Sequence, residues 1–301
     1  MHERFAPCEI CGTARWQQRY GGPVRDGRHG RTKSGACVAR CQGCGVDRLD
    51  EPSCQEEESY SGQEYRRSLG EAEDVSGFFA AHDATQLTNL SALSGEPVRG
   101  KVVVDVGCAA GSFLDHVRGL AKRIIAVEPC EAYHPSLMER GYTVHPFSHD
   151  AAAAEPGVAD LATCFAVMEH VPDPRAVLAD MAAMLAPGGR IVVSTPNRDD
   201  VLMELLPDDF PSFFYRTQHR WYFDAESLTR CAEEAGLEVV QIRQVHRYGI
   251  ANTFRWLRDH QPGGTSVIEG VSSPGLDDFW ARHLESVGKA DYLYGVFGRP
   301  E

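Results

Sequence analysis

The segment Val102-Val103-Val104-Asp105-Val106-Gly107-Cys108-Ala109-Ala110-Gly111-Ser112-Phe113-Leu114 constrains this chain more than any other. A β-branched run closes on an acid, turns through glycines and small residues, and enters an amphipathic stretch. That pattern describes a buried parallel strand feeding a helix through a turn where backbone approaches a ligand closely. About twenty residues further on, Arg123-Ile124-Ile125-Ala126-Val127 ends in Glu128, the usual place for a carboxylate that holds ribose hydroxyls. These residues point to a nucleoside-containing cofactor. The competing reading is an ordinary strand-to-helix turn that binds nothing.

A dinucleotide fits poorly. Its pyrophosphate cradle reads G-x-G-x-x-G, whereas here Ala109 takes the middle position and Ser112 the last, and Asp105 sets a carboxylate where an anion would have to lie. A cation suits the site better, and S-adenosylmethionine carries a sulfonium and an ammonium that nearby acids attract. The block resembles motif I of the class I S-adenosylmethionine-dependent methyltransferases. The resemblance implies that Asp105, Gly107, Cys108, Ala109 and Gly111 bind the cofactor, that Glu128 holds its ribose, and that Ser148 and Phe165 complete the pocket.

The order of the following elements agrees. Residues 160–167 read as a fourth strand, followed by E-H-V-P-D-P. Residues 175–185 have helical spacing and stop at Ala186-Pro187-Gly188-Gly189, and 190–195 form a fifth strand. The string L-A-P-G-G-R-I-V-V-S-T-P-N is again similar to this family. Residues 237–245 and 292–297 supply the last two strands. The expected fold is α/β: a Rossmann-like, seven-stranded, doubly wound sheet with its last strand antiparallel, plus a small amino-terminal zinc ribbon. Three regions follow: a zinc-binding ribbon over 1–55, a helical linker or lid over 56–96, and the methyltransferase domain over 97–301 with an insertion at about 247–290. The aromatic insertion is expected to shape specificity.

Ten cysteines are many for a cytosolic enzyme unless some bind metal. Cys8-Glu9-Ile10-Cys11-Gly12 and Cys41-Gln42-Gly43-Cys44-Gly45 are paired knuckles whose four thiolates suit structural tetrahedral zinc. Arginines crowd the same segment, at 15, 19, 25, 28, 31, 40 and 48; they read as a solvated surface or as a patch for a phosphorylated substrate. The glycine- and charge-rich stretch 25–35 reads as a mobile loop. With 301 residues, 43% of them hydrophobic, the chain can bury a substantial core, and no stretch has membrane-spanning length. A formal charge of −13 argues against avid nucleic-acid binding. A cytoplasmic enzyme with a small-molecule partner is the expectation.

For the base that removes a proton from the acceptor, His219 in Y-R-T-Q-H-R-W-Y-F is preferred, His170 comes second, and Tyr215 is a candidate for orienting the acceptor. Tyr60 and Tyr65 in S-Y-S-G-Q-E-Y are placed to touch cofactor or substrate, or simply to pack. The four-cysteine module, the histidine after strand four and the Y-x-x-x-H segment are similar in part to deoxysugar C-methyltransferases. That family's Y-H-E-H is Y-R-T-Q-H here, and its large carboxyl-terminal domain is missing. Loss of the glutamate favours an oxygen or nitrogen acceptor over carbon. The expected activity is methyl transfer to a sugar, nucleotide-sugar or natural-product intermediate. RNA methylation guided by the zinc ribbon, and a non-catalytic cofactor-binding partner, are the rival readings.

Overall fold

The structure is a computed structural model that describes residues 4–56, 58–62, 67, 74–93 and 95–300. Its centre is a seven-stranded sheet. The strands are β4 (Val102–Val106), β5 (Arg123–Val127), β6 (Thr143–His145), β7 (Ala159–Phe165), β8 (Leu185–Pro196), β10 (Glu238–Val245) and β11 (Tyr292–Gly298). Their order is β10-β11-β8-β7-β4-β5-β6, and β11 runs antiparallel to both of its neighbours. Three valines and Asp105 in β4 are buried because helices cover both faces of a parallel sheet, which explains the unbroken apolar run.

Helices α1 (Val75–Ala92), α2 (Ser112–Val117), α3 (His134–Glu139), α4 (Ser148–Ala154) and α5 (Pro174–Met184) flank this sheet. Local chemistry sets their starts. Asp74 caps α1 by accepting from the Gly77 amide, and Asp173 does the same for α5 from Ala176, with Pro174 at the first helical position. The expected stop at Pro187-Gly188-Gly189 takes a different form: β8 begins earlier, at Leu185. Ala159 pairs with Leu185 and Leu161 with Arg190, so the proline-glycine segment is accommodated as a bulge within the ladder.

A second sheet has the order β1-β2-β3-β9, with β1 at Trp16–Arg25, β2 at Thr32–Cys41, β3 at Asp47–Leu49 and β9 at Trp221–Tyr222. The expectation of a mobile loop over 25–35 is corrected here. Val24 pairs with Lys33 and Arg25 with Thr32, which reduces the turn to residues 26–31. The fourth strand comes from the far side of the chain, so the cysteine-bearing sheet is continuous with the body. Phe5, Trp16 and Val46 share one apolar cluster with Trp221, Phe223, Val104 and Val193. At this seam Arg198 pairs with Asp47 at 3.1 Å and also with Asp224.

Beyond β8 lie α6 (Val201–Leu205), α7 (Phe210–Phe214), α8 (Ala225–Glu234), α9 (Ile250–Asp259) and α10 (Pro274–Ser286). The last two helices occupy the insertion between β10 and β11. Among the described residues no helix is long and apolar enough to cross a membrane.

Candidate active site

The carboxyl ends of β4, β5, β7 and β8 open onto a cavity of about 1040 Å³. That volume is ample for a nucleoside cofactor with a second small molecule beside it. At one end lies the glycine turn after β4. Gly107 has φ +77°, and a Cβ there would approach Val167 Cγ2 to 2.3 Å, so both conformation and space require glycine. Gly107, Cys108 and Ala109 lie on the cavity wall, whereas Gly111 does not. Gly111 starts α2 at φ +84°, packed where a Cβ would come within 2.8 Å of Leu137.

Two acids mark this end. Asp105 is buried and accepts from the Thr163 hydroxyl at 2.7 Å; burial, together with the nearby Glu128 charge, raises its pKa to about 7. Glu128 is held by backbone: its two oxygens accept from the amides of Ala109 and Cys130, each at 2.8 Å. A carboxylate has about four lone-pair positions, so this anchoring leaves acceptors for hydroxyls on a ligand. Phe165 and Ser148 also reach the wall, the latter donating to Asp180 at 2.7 Å. Helix α1 covers this end with Phe78, His82 and Asn89, and its Asp83 accepts from Ser112 at 2.6 Å.

Farther along, β7 and the loop before β9 bring Glu169, His170 and His219 together. His170 Nδ1 lies 2.7 Å from the Gln218 carbonyl, which also accepts from the Tyr60 hydroxyl at 2.8 Å. The rings of His170 and His219 meet edge to face at 4.7 Å. His219 is buried, its Nδ1 has no hydrogen-bond partner among the described residues, and burial pushes its pKa well below the usual histidine value; the Arg216 charge acts in the same direction. Burial raises Glu169 to about 7. Donor atoms of these three residues lie within 4.8 Å of one another, a set that a divalent ion accepts. The charges of Arg216 and Arg247 reach Glu169 and oppose a dication there.

Tyr215 is not at this site. It is buried against the smaller sheet, its ring 5.2 Å from Tyr20 and 4.8 Å from Tyr222, and it takes no part in the cavity wall. Tyr215 is extended and Arg216 forms a β-bridge with Arg25, and in extended chain successive side chains face opposite ways. Packing Tyr215 against the smaller sheet therefore turns Arg216 into the cavity, a residue that the sequence motif did not single out. Glu169 was equally overlooked, although it stands beside His170 in E-H-V-P-D-P. Tyr60 lines the cavity, and Tyr65 lies outside the described residues. Phe210, Phe213, Phe214 and Trp256 form an aromatic wall beyond the histidines.

The four knuckle cysteines converge elsewhere, outside the cavity wall and within the apolar cluster that joins the smaller sheet to the body. Cys8 Sγ lies 3.7 Å from Cys44 Sγ, and Cys11 Sγ 3.5 Å from Cys41 Sγ. Sulfurs bound tetrahedrally at the usual zinc distance sit about 3.8 Å apart. The turns that aim them close through Gly12 and Gly45, both with positive φ, whose amides donate to the Cys8 and Cys41 carbonyls at 2.7 and 3.0 Å. The donor set therefore fits zinc, with all four positions filled by protein.

Residues 79–242 match the family model described as a methyltransferase domain. Among curated relatives, the chain is 32% identical over 179 residues to the ubiquinone biosynthesis O-methyltransferase of Thiobacillus denitrificans, covering 53% of this chain and 74% of that protein. The protein of the same name from Aeromonas salmonicida is 27% identical over 174 residues, covering 52% and 71%. Among solved structures, the fold is similar to the methyltransferase in complex with the Haloferax volcanii Trm112 methyltransferase activator, at 14% identity and a TM-score of 0.52, covering 75% of this chain and 95% of that one. With more than half of its length inside the family model and an acid-marked cavity at the sheet's carboxyl edge, the chain belongs to the methyltransferase-domain family and is an S-adenosylmethionine-dependent methyltransferase.

Proposed function

We propose that this enzyme methylates an oxygen, or a nitrogen, of a small acceptor bound between the histidines and the aromatic wall, with His219 taking the acceptor's proton. The observation that carries this reading is a buried imidazole on the cavity wall, kept neutral by burial and with Nδ1 unbonded among the described residues. A neutral imidazole can accept a proton at once, whereas an imidazolium cannot. S-adenosylmethionine, when bound, supplies a methyl group already activated on sulfonium. What remains for the chain is to hold the acceptor in line, exclude water and receive a proton.

Asp105, Gly107, Cys108, Ala109, Glu128, Ser148 and Phe165 are placed to hold the cofactor, and Gly111 acts from beneath by shaping the turn. His170 serves as the second candidate base. Its Nδ1–H donates to the Gln218 carbonyl, which leaves Nε2 as the basic nitrogen. At the position where deoxysugar C-methyltransferases carry glutamate, Gln218 contributes this backbone carbonyl, which supports oxygen or nitrogen chemistry over carbon. The matched relatives are named O-methyltransferases, which favours oxygen.

Zinc held by Cys8, Cys11, Cys41 and Cys44 would be structural, since no position stays open for water. The module's arginines support a small acceptor rather than RNA: Arg40 is engaged by Asp47, and buried Arg48 by Glu9 and Glu51. None of the ten cysteines is in a disulfide. The test is transfer of labelled methyl from S-adenosylmethionine to a panel of phenolic, sugar and amine acceptors, with bulk RNA alongside. Label on a small acceptor, lost in His219→Ala with cofactor binding retained, supports the reading. Label on RNA alone refutes it.

A further inference from the structure

Most buried arginines of this chain are neutralised. Arg247 donates to Asp291 through Nε and Nη2 at 2.7 Å each, and Arg48 and Arg198 each face two carboxylates. Arg216 differs. It lies half-buried on the wall of the acceptor cavity, its Nε is shielded from solvent without a hydrogen bond, and no carboxylate lies within 4.0 Å of its guanidinium among the described residues. Its charge reaches the buried Glu169 carboxylate only at a distance, without an ion pair, and Phe210, Phe213 and Phe214 line the same cavity.

A second arginine reaches the same place from the cysteine-bearing sheet. Arg25, the last residue of β1, bridges Arg216 as a parallel backbone partner. The Arg25 amide donates to the Tyr215 carbonyl and the Thr217 amide to the Arg25 carbonyl, both at 2.9 Å. Thr217 also donates to Asp26 at 2.9 Å, which fixes the hairpin tip against the loop. The Arg25 guanidinium lies over the Phe213 ring at 4.3 Å from its centroid and lines the cavity. Beyond the glycine turn the wall thus carries the guanidinium groups of Arg25 and Arg216 and the Arg247–Asp291 pair, beside the buried acids Glu169 and Asp200. This end has an aromatic wall.

We propose that Arg216, assisted by Arg25, binds a carboxylate or phosphate carried by the methyl acceptor, so that the acceptor is an acid with a planar apolar body and the cysteine-bearing sheet takes part in recognising it. Guanidinium presents a planar fork to either oxyanion, and Trp256 and the phenylalanines cover the body of the ligand. The assignment of this ligand as methyl acceptor rests on the reading given above; the anion site itself does not.

Calorimetric titration with S-adenosylhomocysteine present separates the two. The probes are 3,4-dihydroxybenzoate, its neutral counterpart 3,4-dihydroxybenzamide, and phenyl phosphate. Wild-type protein should bind the benzoate about ten-fold or more tighter than the benzamide, as expected for a hydrogen bond to a charged group. That ratio should fall to about one in Arg216→Gln, fall part-way in Arg25→Gln and largely return in Arg216→Lys. Preference for phenyl phosphate over benzoate would assign the site to a phosphate-bearing acceptor. Equal binding of acid and amide, a ratio that survives both glutamine variants, or no binding of either anion overturns the proposal. Since Arg25 and Arg216 are substituted separately, failure of one variant to fold leaves the other to decide. Selective anion binding without methyl transfer to any acceptor would sink the transfer reading and leave the anion site standing.

Discussion

His170 Nδ1 and the backbone carbonyl of Gln218 lie 2.7 Å apart, and this contact sets the tautomer of the ring packed edge-on against His219. The two histidines are thereby made unequal. His170 is oriented through Nδ1, whereas His219 Nδ1 has no partner among the described residues and the ring is buried. Replacing His219 by alanine should lower kcat by about 10²–10⁴-fold, the usual contribution of a general base. Affinity for S-adenosylhomocysteine should stay unchanged. His170→Ala should cost less and should act on acceptor KM as well. Steady-state kinetics of both variants decide the assignment, and a larger kcat loss in His170→Ala would exchange their roles.

Binding of a cationic cofactor should strengthen with rising pH. In the ligand-free protein, burial raises Asp105 from 3.8 to about 7, so a proton must leave before its carboxylate can attract a sulfonium or ammonium. The folded chain holds that proton more tightly than the unfolded chain between those two values. Its contribution to stability therefore falls as pH rises from about 4 to 7, the reverse of an ion-paired carboxylate. Glu169 and Asp200, also raised to about 7 by burial, act in the same sense. S-adenosylmethionine should consequently raise Tm more at pH 8 than at pH 6, with affinity changing by up to about ten-fold per pH unit below 7. Equal shifts at the two pH values would remove Asp105 from the binding site.

Gly107→Ala tests the turn. A left-handed residue at φ +77° costs about 1–3 kcal/mol when it carries a side chain, and the added Cβ would also strike Val167. The turn must shift, and with it Cys108 and Ala109, whose amide holds Glu128. Loss of measurable cofactor binding, with circular dichroism little changed, is the expected result; retained affinity would place the nucleoside elsewhere.

These predictions rest on parts of the chain that differ in how openly the sequence displayed them. The β4 turn was legible because strand periodicity, glycine conformation and the distant Glu128 all constrain the same few residues. The hairpin over 25–32 was not: glycine and charge mark it as loop, and only its pairing with Tyr215 and Thr217, far away in sequence, makes it a wall of the cavity. Tyr215 and Arg216 show the same limit. A one-residue alternation decides which of them meets substrate, and the register of that alternation is set by tertiary packing against Tyr20 and Tyr222. Proline and two glycines marked a stop before β8, but β7 supplies a partner that keeps the strand paired across a bulge.

Stripping metal from the four cysteines should impair acceptor binding more than cofactor binding. β3 pairs with β9, and the Leu49 amide donates to the Arg220 carbonyl at 2.9 Å, directly beside His219. On the same sheet, β1 ends in Arg25 on the cavity wall. The glycine turn after β4, proposed above to hold the cofactor, belongs to the other sheet and has no strand in common with it. Loosening the four sulfurs should thus let the hairpin drift from Arg216 while leaving Asp105, Gly107 and Glu128 in place. Chelation, or Cys41→Ser, should lower Tm and raise acceptor KM, with affinity for S-adenosylhomocysteine nearly preserved. Elemental analysis before and after treatment verifies that zinc was present and has been removed. Unchanged acceptor KM in fully stripped protein would show that the sheet keeps its place through the Arg198 ion pairs and the shared apolar cluster alone.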